Sequence, residues 1–188
     1  MKGVITEIER FSLKDGPGIR TTVFFKGCNM ACKWCHNPET LSVKPQLMVY
    51  PKNCIGCGAC VKACKVGART IENGMLHYDR SVCTDCGACA QNCFTGALVM
   101  SGKEMTVEEV MSEILQDRAY YRNSGGGVTL SGGEVSTQPE FAVELLKALK
   151  NENISTAIET NLYAPWKVYE SLMPFVDLVM FDIKIFDN

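Results

Sequence analysis

Cys28, Cys32 and Cys35 are spaced C-x3-C-x2-C. Three thiolates on so short a loop can each take one iron of a [4Fe–4S] cube and leave the fourth iron without a protein ligand. An open position on a metal site is where a reacting molecule binds, so this spacing predicts catalysis. A structural zinc site is the alternative occupant, but it lacks a nearby fourth ligand. His36 directly follows Cys35, and a ligand pair so close is strained.

A second pattern lies downstream. Cys54, Cys57, Cys60 and Cys64 are spaced C-x2-C-x2-C-x3-C, and Cys83, Cys86, Cys89 and Cys93 repeat that spacing after an offset of 29 residues. The repeat extends to Gly58-Ala59 against Gly87-Ala88 and to Gly67-Ala68 against Gly96-Ala97. This is the bacterial ferredoxin pattern, in which each fourth cysteine ligates the other cluster. It predicts one cube on Cys54, Cys57, Cys60 and Cys93, and a second on Cys83, Cys86, Cys89 and Cys64. The usual proline after the last cysteine is replaced by Lys65 and Phe94, which touches turn rigidity and potential more than ligation. Two zinc ribbons are the alternative, although zinc sites rarely use such evenly spaced triplets. Cubes with four thiolates have no vacancy, so their expected role is electron transfer. His77, between the repeats, reads as a loop residue.

The background composition is ordinary. The chain has 188 residues with 46% hydrophobic and 21% charged content, typical of a globular protein. A formal charge of −2 with scattered Lys and Arg argues against a nucleic-acid partner, which needs a concentrated basic face. No run approaches the ~18 apolar residues of a membrane span, and an early glutamate with short apolar stretches argues against a secretory signal. The expectation is therefore cytoplasmic, with no membrane partner. Eleven cysteines, none beyond Cys93, make a poor disulfide framework in a reducing compartment and a good metal-binding one.

The elements that must position these groups follow from periodicity. Residues 4–11 and the β-branched, aromatic residues 20–25 read as strands. Residues 47–102 change character to cysteines, small residues and short strand-like pieces. Thr106-Val107-Glu108-Glu109 is a capping-box signature, followed by a helical stripe of Val107, Val110, Met111, Ile114 and Leu115. Residues 127–130, 154–158 and 176–181 read as strands. Helices are expected from Pro139, with Phe141, Leu145, Leu146 and Leu149 inward, and over residues 165–172. Strand–helix–strand alternation predicts a parallel sheet or barrel. In such folds functional groups gather at the C-terminal strand ends. That edge receives residues 27–35, Ser131-Gly132-Gly133-Glu134, Glu159-Thr160-Asn161 and Asp182-Ile183-Lys184.

Three segments together resemble the signature of glycyl-radical-enzyme activating enzymes, in the radical S-adenosylmethionine superfamily. They are Asp15-Gly16-Pro17-Gly18-Ile19-Arg20-Thr21, Phe25-Lys26-Gly27-Cys28 and Cys32-Lys33-Trp34-Cys35-His36-Asn37-Pro38-Glu39. The resemblance covers nearly the whole chain. It implies that the open iron binds the amino and carboxylate groups of S-adenosylmethionine and that one electron breaks its S–C5′ bond. The resulting 5′-deoxyadenosyl radical then takes hydrogen from a glycine of a partner glycyl radical enzyme. It also implies an anaerobic setting.

The same resemblance distributes roles. Trp34 falls where the family places a residue near the adenosine, with ordinary packing as its other reading, and His36 and Asn37 take their weight from the resemblance. Gly132, Gly133 and Glu134 match a GGE segment contacting the methionine amino group. Two glycines let backbone approach a ligand, and a carboxylate can receive an ammonium hydrogen bond. Val135-Ser136-Thr137 follows where proline is frequent. Asp182, Ile183 and Lys184 match a D-x-K segment along the methionine and ribose. Glu159, Thr160 and Asn161, with Asp182, match residues that hold a monovalent cation in some relatives.

The expected fold is α/β: a partial parallel (β/α) TIM-like barrel, C-terminally truncated, with a ferredoxin-like insert holding two [4Fe–4S] clusters. Residues 1–46 form its start with the CxxxCxxC loop, 47–102 the insert, and 103–188 an incomplete continuation that lacks a later cofactor-binding histidine. Three [4Fe–4S] clusters and S-adenosyl-L-methionine are the expected cofactors, and flavodoxin or ferredoxin the donor. The insert leans the partner towards diol or glycerol dehydratases, choline lyases, arylacetate decarboxylases or arylsuccinate synthases. An iron–sulfur electron-transfer module without radical chemistry is the rival from another class.

Overall fold

The structure is a computed structural model that describes residues 1–73 and 75–184. In chain order the strands and helices are β1 (Lys2–Ser12), β2 (Arg20–Phe25), β3 (Gln46–Val49), α1 (Ala59–Ala63), β4 (Arg69–Glu72), β5 (Met75–Tyr78), α2 (Ala88–Gln91), β6 (Leu98–Ser101), β7 (Lys103–Thr106) and α3 (Val107–Ile114). They continue as α4 (Arg118–Ser124), β8 (Gly127–Gly132), α5 (Pro139–Asn151), β9 (Ser155–Thr160), α6 (Trp166–Leu172) and β10 (Leu178–Phe181). The chain divides into two compact units, Met1–Lys44 with Gly102–Asn188, and Pro45–Ser101.

The first unit is built on one mixed sheet in the order β10-β9-β8-β2-β1-β7. Strands β2, β8, β9 and β10 run parallel, as the alternation predicts, while β1 is antiparallel to both β2 and β7. The reversal at β1 has a simple cause: residues 13–19 are too few for the crossover that parallel neighbours require. Among the described residues the sheet is open, and no closed barrel forms.

Burial explains why the strands stay in register. Val23 and Phe25 of β2, Val128 and Leu130 of β8 and Ile158 of β9 are solvent-free and join one core with Phe141, Leu145, Leu146 and Leu149 of α5. Phe25 meets Phe141 edge to face at 5.7 Å between ring centres. The capping box at α3 is present in both directions: Glu109 N–H donates to Thr106 Oγ1 at 3.2 Å, and Thr106 N–H to Glu109 Oε2 at 2.7 Å. Pro139 opens α5, where its missing N–H leaves nothing unpaired. Helix α4 was not foreseen, because only Tyr121 among its residues is buried and no stripe forms.

At the N-terminal ends of the parallel strands, Arg20 is only 1% exposed. Its Nε donates to Thr129 Oγ1 at 2.7 Å and its Nη2 to the Val128 carbonyl at 2.7 Å, tying β2 to β8. Asp15 accepts the Ser12 and Thr22 hydroxyls at 2.7 and 2.6 Å. These signature residues therefore brace the sheet.

The second unit, Pro45–Ser101, holds two antiparallel strand pairs, β3 with the distant β6 and β4 with the consecutive β5, and the short helices α1 and α2. Gly58 and Gly87 precede those helices with φ of 71° and 76°, a left-handed conformation that favours glycine. The internal repeat of the sequence is thus a repeat of local structure. No helix among the described residues is long and apolar enough to cross a membrane.

Candidate functional site

The C-terminal ends of β2, β8, β9 and β10 open on one cavity of about 510 Å³. Cys28, Cys32 and Cys35 line it, with Trp34, His36 and Asn37 from the same loop. Gly132, Gly133 and Glu134 enter from β8, Glu159, Thr160 and Asn161 from β9, and Asp182 and Lys184 from beyond β10. Ile183 is exposed and is not among the residues that line the cavity. Trp34 is largely exposed, so it is not a core residue here.

The cysteine loop is held to the sheet by backbone. Gly27 N–H donates to the Thr40 carbonyl at 2.7 Å and Cys28 N–H to the Leu41 carbonyl at 3.1 Å. Gly133 N–H donates to the Phe25 carbonyl at 2.9 Å and Glu134 N–H to the Gly27 carbonyl at 2.8 Å. A Cβ at Gly132 would collide with the Phe25 backbone, and one at Gly133 with the Gly27 carbonyl. Both glycines thus permit one strand end to lie against the other.

Glu134 is 2% exposed, and its carboxylate accepts from Ser136 N–H at 3.0 Å, Thr160 Oγ1 at 2.8 Å and Asn161 N–H at 2.7 Å. The carboxylate thereby ties β8 to the end of β9 while Glu134 still lines the cavity. Asn161 Nδ2 in turn donates to Asn29 Oδ1 at 2.9 Å, next to Cys28. Burial pushes the Cys28 thiol up, partly offset by Met30 N–H donating to its sulfur at 3.5 Å.

The charges around the cavity are arranged by neighbours. Burial raises the Glu159 carboxyl, against the Ser131 hydroxyl that donates to it, and nearby Asp15 and Asp182 push the same way. Lys184 is raised, first by its hydrogen bond to Asp182 and further by Cys32 and Cys35. Among the described residues no three His, Cys, Asp or Glu side chains converge on a single metal ion. A cube does not require that, since each thiolate takes a separate iron.

In the Pro45–Ser101 unit the cysteines sort into two groups. Cys54, Cys57, Cys60 and Cys93 line a cavity of about 200 Å³. Cys83, Cys86, Cys89 and Cys64 line a tighter one of about 20 Å³, whose walls must part to admit a cube. Each group takes three cysteines from one repeat and the fourth from the other. The fourth cysteines share an environment that favours anionic sulfur. Burial raises the Cys64 thiol, but N–H groups of Arg69, Val66, Ala68 and Gly67 outweigh it; at Cys93 Thr95, Leu98 and Ala97 do the same.

Comparison with known proteins decides the family. A family described as "4Fe-4S single cluster domain" matches residues 14–183. The chain belongs to the 4Fe-4S single cluster domain family. It is 47% identical to the benzylsuccinate synthase activating enzyme of Thauera aromatica, over 98% of this chain and 57% of that protein. It is 44% identical to the (2S)-3-sulfopropanediol dehydratase activating enzyme of Klebsiella oxytoca, over 98% and 60%. With the choline trimethylamine-lyase activating enzyme of Oleidesulfovibrio alaskensis the identity is 45%, over 100% and 61%. The chain therefore spans about three fifths of the length of these relatives. The resemblance to glycyl-radical-enzyme activating enzymes, drawn from residues 15–39, stands on them.

Within this 4Fe-4S family member, two contributors escaped sequence reasoning. Asn29 was invisible because an asparagine inside a cysteine loop has no spacing signature. Arg69 had a signal: it falls where the repeat offset of 29 residues places Leu98 in the second copy.

Proposed function

We propose that the chain is the cluster-bearing part of a radical S-adenosylmethionine activating enzyme whose substrate is a glycine of a partner glycyl radical enzyme. The observation that carries this is the gathering of Cys28, Cys32 and Cys35 with Gly132, Gly133, Glu134, Asp182 and Lys184 on one cavity at the strand ends. The donor set fits a [4Fe–4S] cluster: three thiols on one wall and no fourth cysteine among the cavity's lining residues. When bound, the cluster supplies the single electron that splits S-adenosylmethionine into methionine and a 5′-deoxyadenosyl radical, which becomes 5′-deoxyadenosine on taking the glycine hydrogen.

The chain's own groups then have separable tasks. Gly132 and Gly133 bring the β8 end against the cysteine loop and leave backbone facing the cavity. Lys184 and Asp182 offer a cation and an anion to the zwitterionic methionine end, and Trp34 and His36 a wall for the adenosine. Residues 47–102 would hold two further [4Fe–4S] clusters, on the crossed cysteine groups, and pass electrons inward from a flavodoxin or ferredoxin. The relatives are named for enzymes as different as a benzylsuccinate synthase and a choline trimethylamine-lyase. The partner is therefore proposed as a glycyl radical enzyme of that breadth, with the sheet expected to continue as a (β/α) barrel.

The test is direct. The anaerobically reconstituted protein, given dithionite and S-adenosylmethionine, is expected to release methionine and 5′-deoxyadenosine in equal amounts. A reconstituted protein with full iron that released neither would overturn the proposal.

A further inference from the structure

Arg69 opens β4 and is 6% exposed, yet its Nε and Nη2 have no hydrogen-bond partner. Its guanidinium lies 3.9 Å from the centre of the Tyr78 ring, its cross-strand neighbour. That contact satisfies a ring face and offers no acceptor to the N–H groups. Burying a cation without acceptors costs several kcal/mol unless negative charge lies close. The position is also irregular by the chain's own standard, since the second repeat has the buried apolar Leu98 there.

Place resolves the anomaly. Arg69 and Tyr78 are the two residues that line both cysteine cavities of this unit, the Cys54–Cys57–Cys60–Cys93 group and the Cys83–Cys86–Cys89–Cys64 group. A four-thiolate cube carries net negative charge in both oxidation states and more when reduced. A buried guanidinium between two such groups meets the charge it lacks on both sides. We infer that Arg69 is a shared positioning residue for the two insert clusters: its charge and its unpartnered N–H groups stabilise their reduced forms and raise both reduction potentials together. Net charge and hydrogen bonds to sulfur are the protein's usual levers on cluster potential. The consequence is an insert whose two cubes are matched by one residue, which suits passing electrons one at a time.

This inference rests on the two-cluster reading of residues 47–102. It is tested in a Cys32→Ala background, so that only the insert clusters report, by iron and sulfide analysis and a redox titration followed by electron paramagnetic resonance. Arg69→Leu installs the second repeat's own residue. It is expected to keep about eight irons while both clusters become harder to reduce. The ratio of reduced to oxidised cluster at a fixed potential should fall about tenfold, a shift of about 59 mV. Arg69→Lys, which keeps the charge, is expected to recover most of that shift. Full iron with unmoved potentials in Arg69→Leu would overturn the inference alone. Fewer than about eight irons in the Arg69 parent would overturn the two-cluster reading and the inference with it. Should Arg69→Leu fail to load, Arg69→Lys decides: loading with parental potentials supports the role of charge, and failure to load makes Arg69 a packing element.

Discussion

Asn161 donates its backbone N–H to Glu134 Oε2 at 2.7 Å, which fixes the turn after one parallel strand to the side chain that ends its neighbour. The other carboxylate oxygen accepts from Thr160 Oγ1 at 2.8 Å and Ser136 N–H at 3.0 Å. Glu134→Ala would leave the Ser136 and Asn161 N–H groups without this acceptor and the Thr160 hydroxyl with only the Tyr169 hydroxyl, at 3.2 Å. The cost is about 1–3 kcal/mol for each donor that water does not reach. The expected result is a lower urea midpoint, equivalent to about 3 kcal/mol of lost stability, with a fall in S-adenosylmethionine cleavage beyond the loss of folded protein. Glu134→Gln, which keeps one acceptor oxygen, should lie between. A parental urea midpoint in Glu134→Ala would show that the tie between strand ends is dispensable.

The division of labour between the cysteine groups gives a second expectation. Cys32→Ala should abolish S-adenosylmethionine cleavage while roughly two thirds of the iron remains, because the eight insert cysteines are untouched. Cys60→Ala should leave cofactor binding measurable and impair reduction by a protein donor. If both variants lost cofactor affinity equally, the insert would not be a separate relay.

The parallel strands were legible because each pairs a β-branched or aromatic run with a glycine or polar exit, and the exits are the site. The Phe141–Leu149 stripe was legible for the same reason, being a period that burial enforces. What escaped depends on partners distant in sequence. Lys103–Thr106 became a strand only because β1 offers it an edge, and a lone tetrapeptide carries no such signal. The bonds that Glu134 makes to Thr160 and Asn161, 26 and 27 positions later, carry no local signal and were not legible. Arg69 could have been noticed as a charged residue directly after the repeated Gly-Ala pair, where the second copy has Leu98.

A pH dependence follows from Tyr121, whose hydroxyl is buried against Thr21 and donates to the Ile114 carbonyl at 3.1 Å. Burial, only partly offset by Thr21, pushes it up to about 12 from an ordinary value near 10. The folded state therefore keeps a proton that the unfolded chain releases. The resulting stability is complete below about pH 10 and is lost as pH climbs towards 12. Tyr121→Phe should flatten that decline in the urea midpoint. A parallel decline in both proteins would assign it to other groups.

Crowding at Gly133 separates the cost of contact from the cost of backbone strain. Its φ is not in the left-handed region, so alanine is opposed only by what its Cβ meets: the Gly27 carbonyl, and the Thr40 carbonyl at 2.9 Å. Both are backbone, which cannot swing aside as a side chain would. The ends of β2 and β8 must separate, and the loop bearing Cys28 moves with them, since Gly133 N–H and Glu134 N–H hold it there. Gly125 is the opposite case. Its φ is 69° and its Cβ would meet nothing within 4 Å, so alanine costs about 1–2 kcal/mol of strain without displacing a neighbour. Gly125→Ala is expected to lose stability yet cleave S-adenosylmethionine normally per folded molecule. Gly133→Ala should fall at least tenfold in cleavage even where it remains folded, with the eight insert cysteines still loaded. Parental cleavage in Gly133→Ala would mean that the strand ends can part without moving the cysteines, and the tight approach at the glycines would then serve the sheet and not the site.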